Sequence, residues 1–334
     1  MIDSASYKLT NSILQFDQIL LPGQVPGEHK FPIVLTPTGV GKVFDRIVKQ
    51  RAHLLDELSQ SGAIIFRGFE LEGDTDFDAF VTAFGLESFE YGKSLSNAVR
   101  LNRTNRVFTA NEAPASVEIY LHHEMAQTPI YPQRLFFFCE KAADWGGYTP
   151  LCRSDVLLER LEQRIPEFIL QCRNLGVRYK LIMPGTTDPE SGQGRSWQDT
   201  LGASNTHQAE ARLGELSYDW EWLPDECLRV TTPALPLIRR APNGREVFFN
   251  QLIAAFCGWQ DHRNEASRSV TFGDGTEIHE KDLIEATRIA YDLVFDMHWE
   301  TGDVILIDNY LVMHGRRPFK GVRSILASLA GRAI

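Results

Sequence analysis

The C-terminal stretch over residues 298–331 limits the fold more tightly than any other part of the sequence. It alternates the apolar runs VILID, LVMH and SILASLA with turns rich in Gly, Asn and Arg. This pattern predicts strand, turn, strand, turn, strand. Further short segments rich in β-branched and aromatic residues occupy 134–141, 147–152 and 177–183. We therefore predict a β-rich core over residues 100–334.

The first 95 residues show a mixed pattern, which predicts an N-terminal α/β cap on this core. Apolar residues recur at helical spacing over 43–60, where Gly62 is a stop signal, and again over 73–85. Between these helices, GAIIFRGF over 62–69 predicts a short buried strand.

Helices also interrupt the predicted core. Residues 154–176 are periodic in apolar residues, with Pro166 kinking or dividing the helix, and residues 281–297 form a second amphipathic helix. The polar segment 184–215 lacks periodicity, which predicts either a functional lid or a disordered excursion. Because no clear linker separates these parts, we predict one integrated domain over residues 1–334.

Composition excludes several classes of protein. Hydrophobic residues make up 43% and charged residues 23%, which excludes a disordered chain, a collagen-like chain and a disulfide scaffold. With 34 basic against 44 acidic residues, the chain is a poor nucleic-acid binder by charge. It has no run of about 18 apolar residues, so we predict no membrane contact. The N-terminus lacks a secretory pattern and the five cysteines form no C-x-x-C pair, so we expect a cytoplasmic protein with reduced, mostly buried thiols.

One candidate metal motif is LHHEM, at residues 121–125. Side chains two apart on a strand share a face, so His122 and Glu124 would point together while His123 points away. An imidazole and a carboxylate in this arrangement can hold a divalent metal. Taken alone, His-x-Glu is a weak signal, because short chains contain it by chance.

The second motif ends the apolar run VILIDNYLVMH at His314. Together His122, Glu124 and His314 make a 2-His-1-carboxylate set, which suits iron(II) and leaves three coordination positions open. Arg323 lies inside the next apolar strand, where a guanidinium needs an anion such as the carboxylate of a 2-oxo acid. The Thr149 hydroxyl, in the turn GGYT, could bond the same carboxylate.

These motifs resemble those of the TauD/TfdA and clavaminate-synthase-like group of iron(II)/2-oxoglutarate-dependent dioxygenases. The matching stretches are HHEM, WGGYTPLCRSD and the C-terminal block that begins WETGDVILIDNYLVMHGRRPF and ends at Arg323. The resemblance covers roughly residues 60–330. It implies a fold of mixed α/β class, β-rich, with a double-stranded β-helix, or jelly-roll, core.

The resemblance also implies the chemistry. Iron(II), 2-oxoglutarate and O2 would act together to hydroxylate an unactivated C–H bond, although desaturation, cyclisation and epoxidation also occur in the group. Glu124 in place of the commoner Asp favours the branch that oxidises amino acids and argues against halogenation. The ending HGRRPFKGVR points to specialised metabolism, with an amino-acid-like small molecule, free or tethered to a carrier protein, as substrate. Asn102, Arg103 and Glu118 are candidates for its charged groups.

Several alternatives remain open at this point. Arg316 and Arg317 compete with Arg323 as the anchor, although their position in a turn predicts greater exposure. Asp296 and His298 are another carboxylate–histidine pair, but the predicted helix would turn them to different faces. A jelly-roll protein that binds ligands without turnover would keep the same metal motif.

Two further patterns carry no support for other functions. TPTGVGK over 36–42 resembles a phosphate loop, but it lacks the first Gly, and Val43 stands where Ser or Thr is needed. The sequence has no G-x-S-x-G, so nothing favours a hydrolase of the α/β type.

Overall fold

The computed structural model describes residues 16–24, 31–38, 43–188, 191, 193–259 and 269–333. The strands in these ranges are β1 Phe16–Ile19, β2 Ile33–Pro37, β3 Ala63–Phe66, β4 Phe108–Thr109, β5 Ile119–His122, β6 Tyr131–Lys141, β7 Trp145–Gly146, β8 Thr149–Arg153, β9 Val177–Met183, β10 Asp219–Trp222, β11 Leu228–Thr231, β12 Ile238–Arg240, β13 Glu246–Phe248, β14 Val270–Phe272, β15 Phe295–Met297, β16 Val304–Asp308, β17 Val312–Arg316, β18 Phe319–Lys320 and β19 Ser324–Ala333. The helices are α1 Val43–Ser61, α2 Gly73–Ala83, α3 Ser154–Arg164, α4 Pro166–Leu175, α5 Trp197–Leu201, α6 Thr206–Glu215, α7 Leu252–Gly258 and α8 Glu280–Asp292, with a 3-10 turn at Tyr91–Lys93.

Eight of these strands form the double-stranded β-helix. Four pair in the order β4-β19-β6-β16 within a larger sheet, and four pair in the order β5-β17-β8-β15. All of these pairs are antiparallel. Successive strands alternate between the two sheets, apart from the step from β8 to β15, and this is the winding of a jelly roll. The predicted fold class is therefore confirmed.

The alternation of side chains along β6 explains how the two faces of the larger sheet are covered. Phe136 and Phe138 belong to the apolar cluster that α1 and α2 form on the outer face. Phe137 and Cys139 belong to the cluster between the two sheets, together with Leu151 of β8. A strand buried on both faces needs apolar residues at successive positions, and LFFFC over residues 135–139 provides them.

The strands of the N-terminal region join the core sheet directly. β3 pairs antiparallel with β16, β2 pairs parallel with β3, and β1 pairs with β2. The larger sheet consequently has seven strands in the order β1-β2-β3-β16-β6-β19-β4. The predicted helix over 43–60 is confirmed as α1. The assignment of one integrated domain to the whole chain stays a prediction.

A long insertion separates β8 from β15 and carries α3 to α8. It contains its own sheet, in the order β10-β11-β9-β14, and packs around a separate apolar cluster. Pro166 divides the predicted helix, because α3 ends at Arg164 and α4 begins at the proline.

Two expectations about the insertion need correction. The predicted helix over 281–297 is wrong at its end, since α8 stops at Asp292 and residues 295–297 form β15, which pairs with β8. Pairing with a neighbouring strand outweighs the local helical periodicity there. The polar segment 184–215 is not a disordered excursion over α5 and α6, whose inner faces are buried. Residues 189, 190 and 192 lie outside the described ranges, and a lid role for the segment stays a prediction.

All five cysteines are free thiols. Cys139, Cys152 and Cys172 are buried, and Cys227 and Cys257 are partly exposed. Burial raises the pKa of Cys152 and of Cys139 to about 12. The expectation of reduced, mostly buried thiols is confirmed, while the cytoplasmic location stays a prediction. Over the described ranges, no helix has the length and apolar character needed to cross a membrane.

Candidate metal centre and its cavity

The structure brings His122, Glu124 and His314 together. The two histidines are direct partners across the β5–β17 pair, and their ring centroids lie 4.5 Å apart. Each of the three residues offers one ligand atom, and these atoms lie within 4.8 Å of one another. Over the part of the chain that the structure describes, this is the one cluster of three potential metal ligands.

Glu124 reaches the cluster from a turn and not from a strand. The expected alternation of side chains holds for His122, where β5 ends, but the chain then turns, with Met125 at φ 59°. The Asn309 amide fixes this turn: it accepts from Glu124 N at 2.8 Å and donates to Glu124 O at 3.0 Å. It also donates to Pro132 O at 2.8 Å. His122 and Glu124 therefore lie together as predicted, but a turn and not strand alternation directs Glu124 to the cluster.

The Glu124 carboxylate is held between two cationic or potentially cationic groups. Its Oε1 accepts from Arg100 Nη2 at 2.9 Å, while its Oε2 has no hydrogen-bond partner and lies 3.6 Å from His314 Nε2. Burial alone would raise the pKa of Glu124, but Arg100 and His314 outweigh it and hold this pKa well below its usual range. Glu124 is therefore an anion with one oxygen free, as a metal ligand requires.

Arg100 was missed by the sequence reasoning. Its side chain is only 6% exposed, and its guanidinium lies over the rings of Tyr91 and Phe108, at 4.7 and 5.3 Å from their centroids. It belongs to an irregular segment 24 residues before Glu124, where no local pattern signals the contact.

The two neighbouring histidines have different partners. His122 Nδ1 donates to Tyr120 O at 2.7 Å, because a carbonyl can only accept, and this leaves Nε2 for a metal. Burial, with His314 nearby, lowers the pKa of His122 to about 4. His123 points away from the cluster, as predicted, with its Nε2 3.1 Å from Ser154 Oγ and its Nδ1 accepting from Asn250 N at 3.1 Å.

A cavity of about 170 Å³ opens beside the metal cluster. Its wall combines jelly-roll residues such as Phe137 and Ile325 with residues of the insertion such as Gln251 and Trp259. Thr149 and Arg323 also line it, so the structure brings both predicted anchor residues to the cavity that holds the cluster.

Arg323 is a half-buried cation that lacks an acidic partner among the described residues. Its Nε donates to Gly147 O at 3.1 Å. Burial, followed by repulsion from Arg316, lowers its pKa to about 10, so it stays charged at neutral pH. Gly147 has φ +68°, and a Cβ there would lie 2.9 Å from Arg323 Cδ, so glycine makes room for the guanidinium. The Thr149 hydroxyl accepts from Trp299 Nε1 at 3.0 Å.

The competing arginines are occupied by the protein itself. Arg316 is only 6% exposed, so the expectation that it would be more exposed than Arg323 is wrong. Its guanidinium donates to the carbonyls of Ala113, Pro114 and Val117 at 2.7 to 2.8 Å. Arg317 donates to Asp296 at 2.9 Å and to Glu118 at 2.8 Å.

The other candidates divide clearly. Glu118 lines the cavity, where its Oε1 also accepts from Tyr291 Oη at 3.2 Å. Asn102 and Arg103 are absent from the described cavity wall, and Arg103 pairs with Asp74 and Glu140 instead. They are therefore not supported as contacts to substrate.

The Asp296 and His298 pair is no metal site, but the reason given from the sequence was wrong. Asp296 lies on strand β15 and not in a helix, and it is paired with Arg317. His298 stacks on Tyr148 with ring centroids 3.7 Å apart. Both side chains are therefore directed to partners other than a shared ion.

Comparisons with known proteins show which family the chain is similar to. The family described as taurine catabolism dioxygenase TauD, TfdA matches residues 38–329. A clavaminate synthase-like protein of Arabidopsis thaliana is 37% identical over 320 residues, covering 92% of this chain and 96% of that protein. The dapdiamide synthesis protein DdaC of Enterobacter agglomerans is 31% identical over 296 residues, covering 83% and 84%.

A solved structure has the same fold. PvcB, described as an Fe, α-ketoglutarate-dependent oxygenase from an isonitrile synthetic pathway, superposes with a TM-score of 0.55 at 15% identity, covering 97% of this chain and 94% of that one. The chain belongs to the TauD, TfdA family of dioxygenases. It is accordingly an oxidoreductase, and its two imidazoles and one carboxylate fit an iron(II) ion.

Proposed function

We propose that this protein is an iron(II)- and 2-oxoglutarate-dependent dioxygenase that hydroxylates an unactivated C–H bond of an amino acid or an amino-acid-derived molecule. The observation that carries the proposal is the His122, Glu124 and His314 cluster at the wall of a cavity that also contains Arg323, a cation with no acidic partner over the described ranges. A metal site and a carboxylate site in one cavity are what a metal-bound 2-oxo acid requires.

In this proposal His122, Glu124 and His314 would hold the iron, and 2-oxoglutarate and O2 would be its co-substrates. Bound iron would supply the oxidative chemistry, in which 2-oxoglutarate and O2 would give succinate and CO2 and the second oxygen atom would go to the substrate carbon. Arg323 binds the remote carboxylate of 2-oxoglutarate, and Thr149 donates its hydroxyl proton to the same group. Thr149 is able to do so because its oxygen already accepts from Trp299.

The surrounding residues keep this site pre-organised. Asn309 fixes the backbone of Glu124, Arg100 orients its carboxylate, and the Tyr120 carbonyl sets the tautomer of His122. The Phe137 ring lies 5.2 Å from the His314 ring and excludes water from one side of it. The protein thus contributes binding and orientation of the groups that react.

Two observations support the amino-acid assignment. Glu124 stands at the carboxylate position, and the relatives include a dapdiamide synthesis protein and an oxygenase of an isonitrile pathway. Both descriptions place those proteins in specialised biosynthesis. We propose the same setting here, with a substrate that is free or tethered to a carrier protein.

The test is formation of succinate from 2-oxoglutarate under air, with and without iron(II), in the presence of candidate amino acids. The proposal expects iron-dependent succinate in the wild type and its loss in His314→Ala. His298→Ala is the matched control, because His298 is a histidine outside the cluster. Equal succinate formation in His314→Ala and wild type would refute the metal assignment, and a wild type without turnover would favour a binding protein.

A further inference from the structure

We propose that Asn97, Gln127 and Gln193 form a subsite that binds a neutral amide group of the substrate through its N–H donors. This carboxamide subsite rests on the proposed function, since it names the substrate class of the same cavity. All three residues line that cavity.

The first observation is where the unsatisfied polar atoms lie. In the described part of the chain, eight of the thirteen buried side-chain atoms without a hydrogen-bond partner belong to residues that line this cavity. Three of the eight are the side-chain oxygens of Asn97, Gln127 and Gln193. Buried polar groups in native proteins are nearly always bonded, so three such oxygens in one cavity indicate a missing donor.

The second observation is that two of these amides are deeply buried and well held. Asn97 is 4% exposed and Gln127 is 6% exposed. Gln127 lies three residues after Glu124, in the turn that positions the metal ligand. Asn97 is held through its backbone, since Asn97 O accepts from Arg195 N at 3.0 Å, and Arg195 also donates to Ser94 O at 3.0 Å. The side-chain oxygens of Asn97 and Gln127 therefore have fixed positions in the cavity wall.

The charges around the cavity indicate whether the missing donor is a neutral amide or a charged ammonium group. Its wall contains the cations Arg100, Arg316 and Arg323 but only two acids, and one of these, Glu118, is already paired with Arg317. An ammonium group would add charge to a cation-rich site, where neutral amide oxygens cannot compensate for it.

An amide of the substrate satisfies both sides of the site. Its N–H groups bond to the free oxygens of the subsite, and its carbonyl can accept from Arg100, whose Nε and Nη1 have no hydrogen-bond partner among the described residues. If the carboxamide of Asn97, Gln127 or Gln193 rotates by 180°, it presents its NH2 instead of its oxygen. It can then donate to the carbonyl of the substrate amide, so the two amides still form hydrogen bonds.

The experiment compares three small probes of similar size: hexanamide, methyl pentanoate and hexylammonium. Their binding to the full-length protein is measured by ligand-observed NMR, which does not depend on iron. We expect hexanamide to bind about tenfold more tightly than either other probe, as one satisfied buried hydrogen bond predicts. Gln127→Met and Asn97→Leu should remove this preference.

Gln198→Met is the matched control, because the Gln198 oxygen is also buried and unpaired but does not line the cavity. This variant should keep the preference for the amide. Equal binding of amide and ester would overturn the proposal, because water would then suffice for the oxygens. Tightest binding of hexylammonium would also overturn it. Failure of iron-dependent succinate formation tests the proposed function separately, since the probe measurement needs neither iron nor turnover.

Discussion

Replacing Arg323 with Met should weaken the binding of 2-oxoglutarate without weakening the fold. Among the residues that the structure describes, the Arg323 guanidinium has one hydrogen bond, to Gly147 O, and no acidic partner. Its burial is already unfavourable, as its pKa of about 10 indicates. Removing it should therefore change the free energy of unfolding by less than about 1 kcal/mol, since little native hydrogen bonding is lost.

The loss in binding should be much larger. A guanidinium can donate two hydrogen bonds to one carboxylate. Its removal should cost about 1.5–3 kcal/mol of binding free energy for each of these bonds. Two such bonds total about 3–6 kcal/mol, which corresponds to an increase of about 10² to 10⁴ in the dissociation constant of 2-oxoglutarate.

Arg316→Met provides the matched control. Arg316 lines the same cavity and burial lowers its pKa to about 10 as well, but it donates to the backbone carbonyls of Ala113, Pro114 and Val117. Its loss leaves those carbonyls unpaired and should cost about 3–5 kcal/mol of stability. The assays are urea unfolding and an anaerobic titration with 2-oxoglutarate. Unchanged 2-oxoglutarate affinity in Arg323→Met would refute the assignment of the anchor.

Three further predictions concern the supports of the site. Glu124→Ala should destabilise even the metal-free protein by about 3–5 kcal/mol, because the buried Arg100 guanidinium loses its acidic partner. In urea unfolding, the double variant that also carries Arg100→Met should regain part of this stability. If the effects of the two substitutions simply add, the pairing of Arg100 with Glu124 is contradicted. Asn309→Ala removes three hydrogen bonds and should weaken iron(II) binding by about 10-fold or more, which a competition titration measures. Unchanged affinity would show that the turn at Glu124 keeps its conformation without Asn309. At pH 8 iodoacetamide should label the partly exposed Cys227 but not the three buried thiols. At Cys152, for example, a pKa raised to about 12 leaves almost no thiolate. Labelling of Cys152 in the native protein, detected by mass spectrometry, would contradict this prediction.

The sequence correctly predicts those strands and helices whose pattern of apolar residues matches the faces that are buried in the fold. The β6 run LFFFC, residues 135–139, is apolar at every position because helices cover one face and the second sheet covers the other. The C-terminal strands were predicted for the same reason. The error at residues 293–297 has the opposite cause, since pairing with β8 and not local periodicity determines β15.

The metal cluster could be predicted because the residues that form it lie in short motifs. His122 and Glu124 are two residues apart, and His314 ends a strongly apolar run. Arg100 and Asn97 could not be predicted in the same way. They lie in an irregular segment, and only the folded chain brings Arg100 within 2.9 Å of the Glu124 carboxylate.

The most direct test of the central claim is an anaerobic titration of the metal-free protein with iron(II) and then with 2-oxoglutarate, recorded as visible absorption. If His122, Glu124 and His314 hold iron and Arg323 holds the co-substrate, a weak visible charge-transfer band should appear only when both are present. The band should be missing in His122→Ala, while Arg323→Met should require far more 2-oxoglutarate to develop it. Absence of the band in folded wild-type protein would contradict the account.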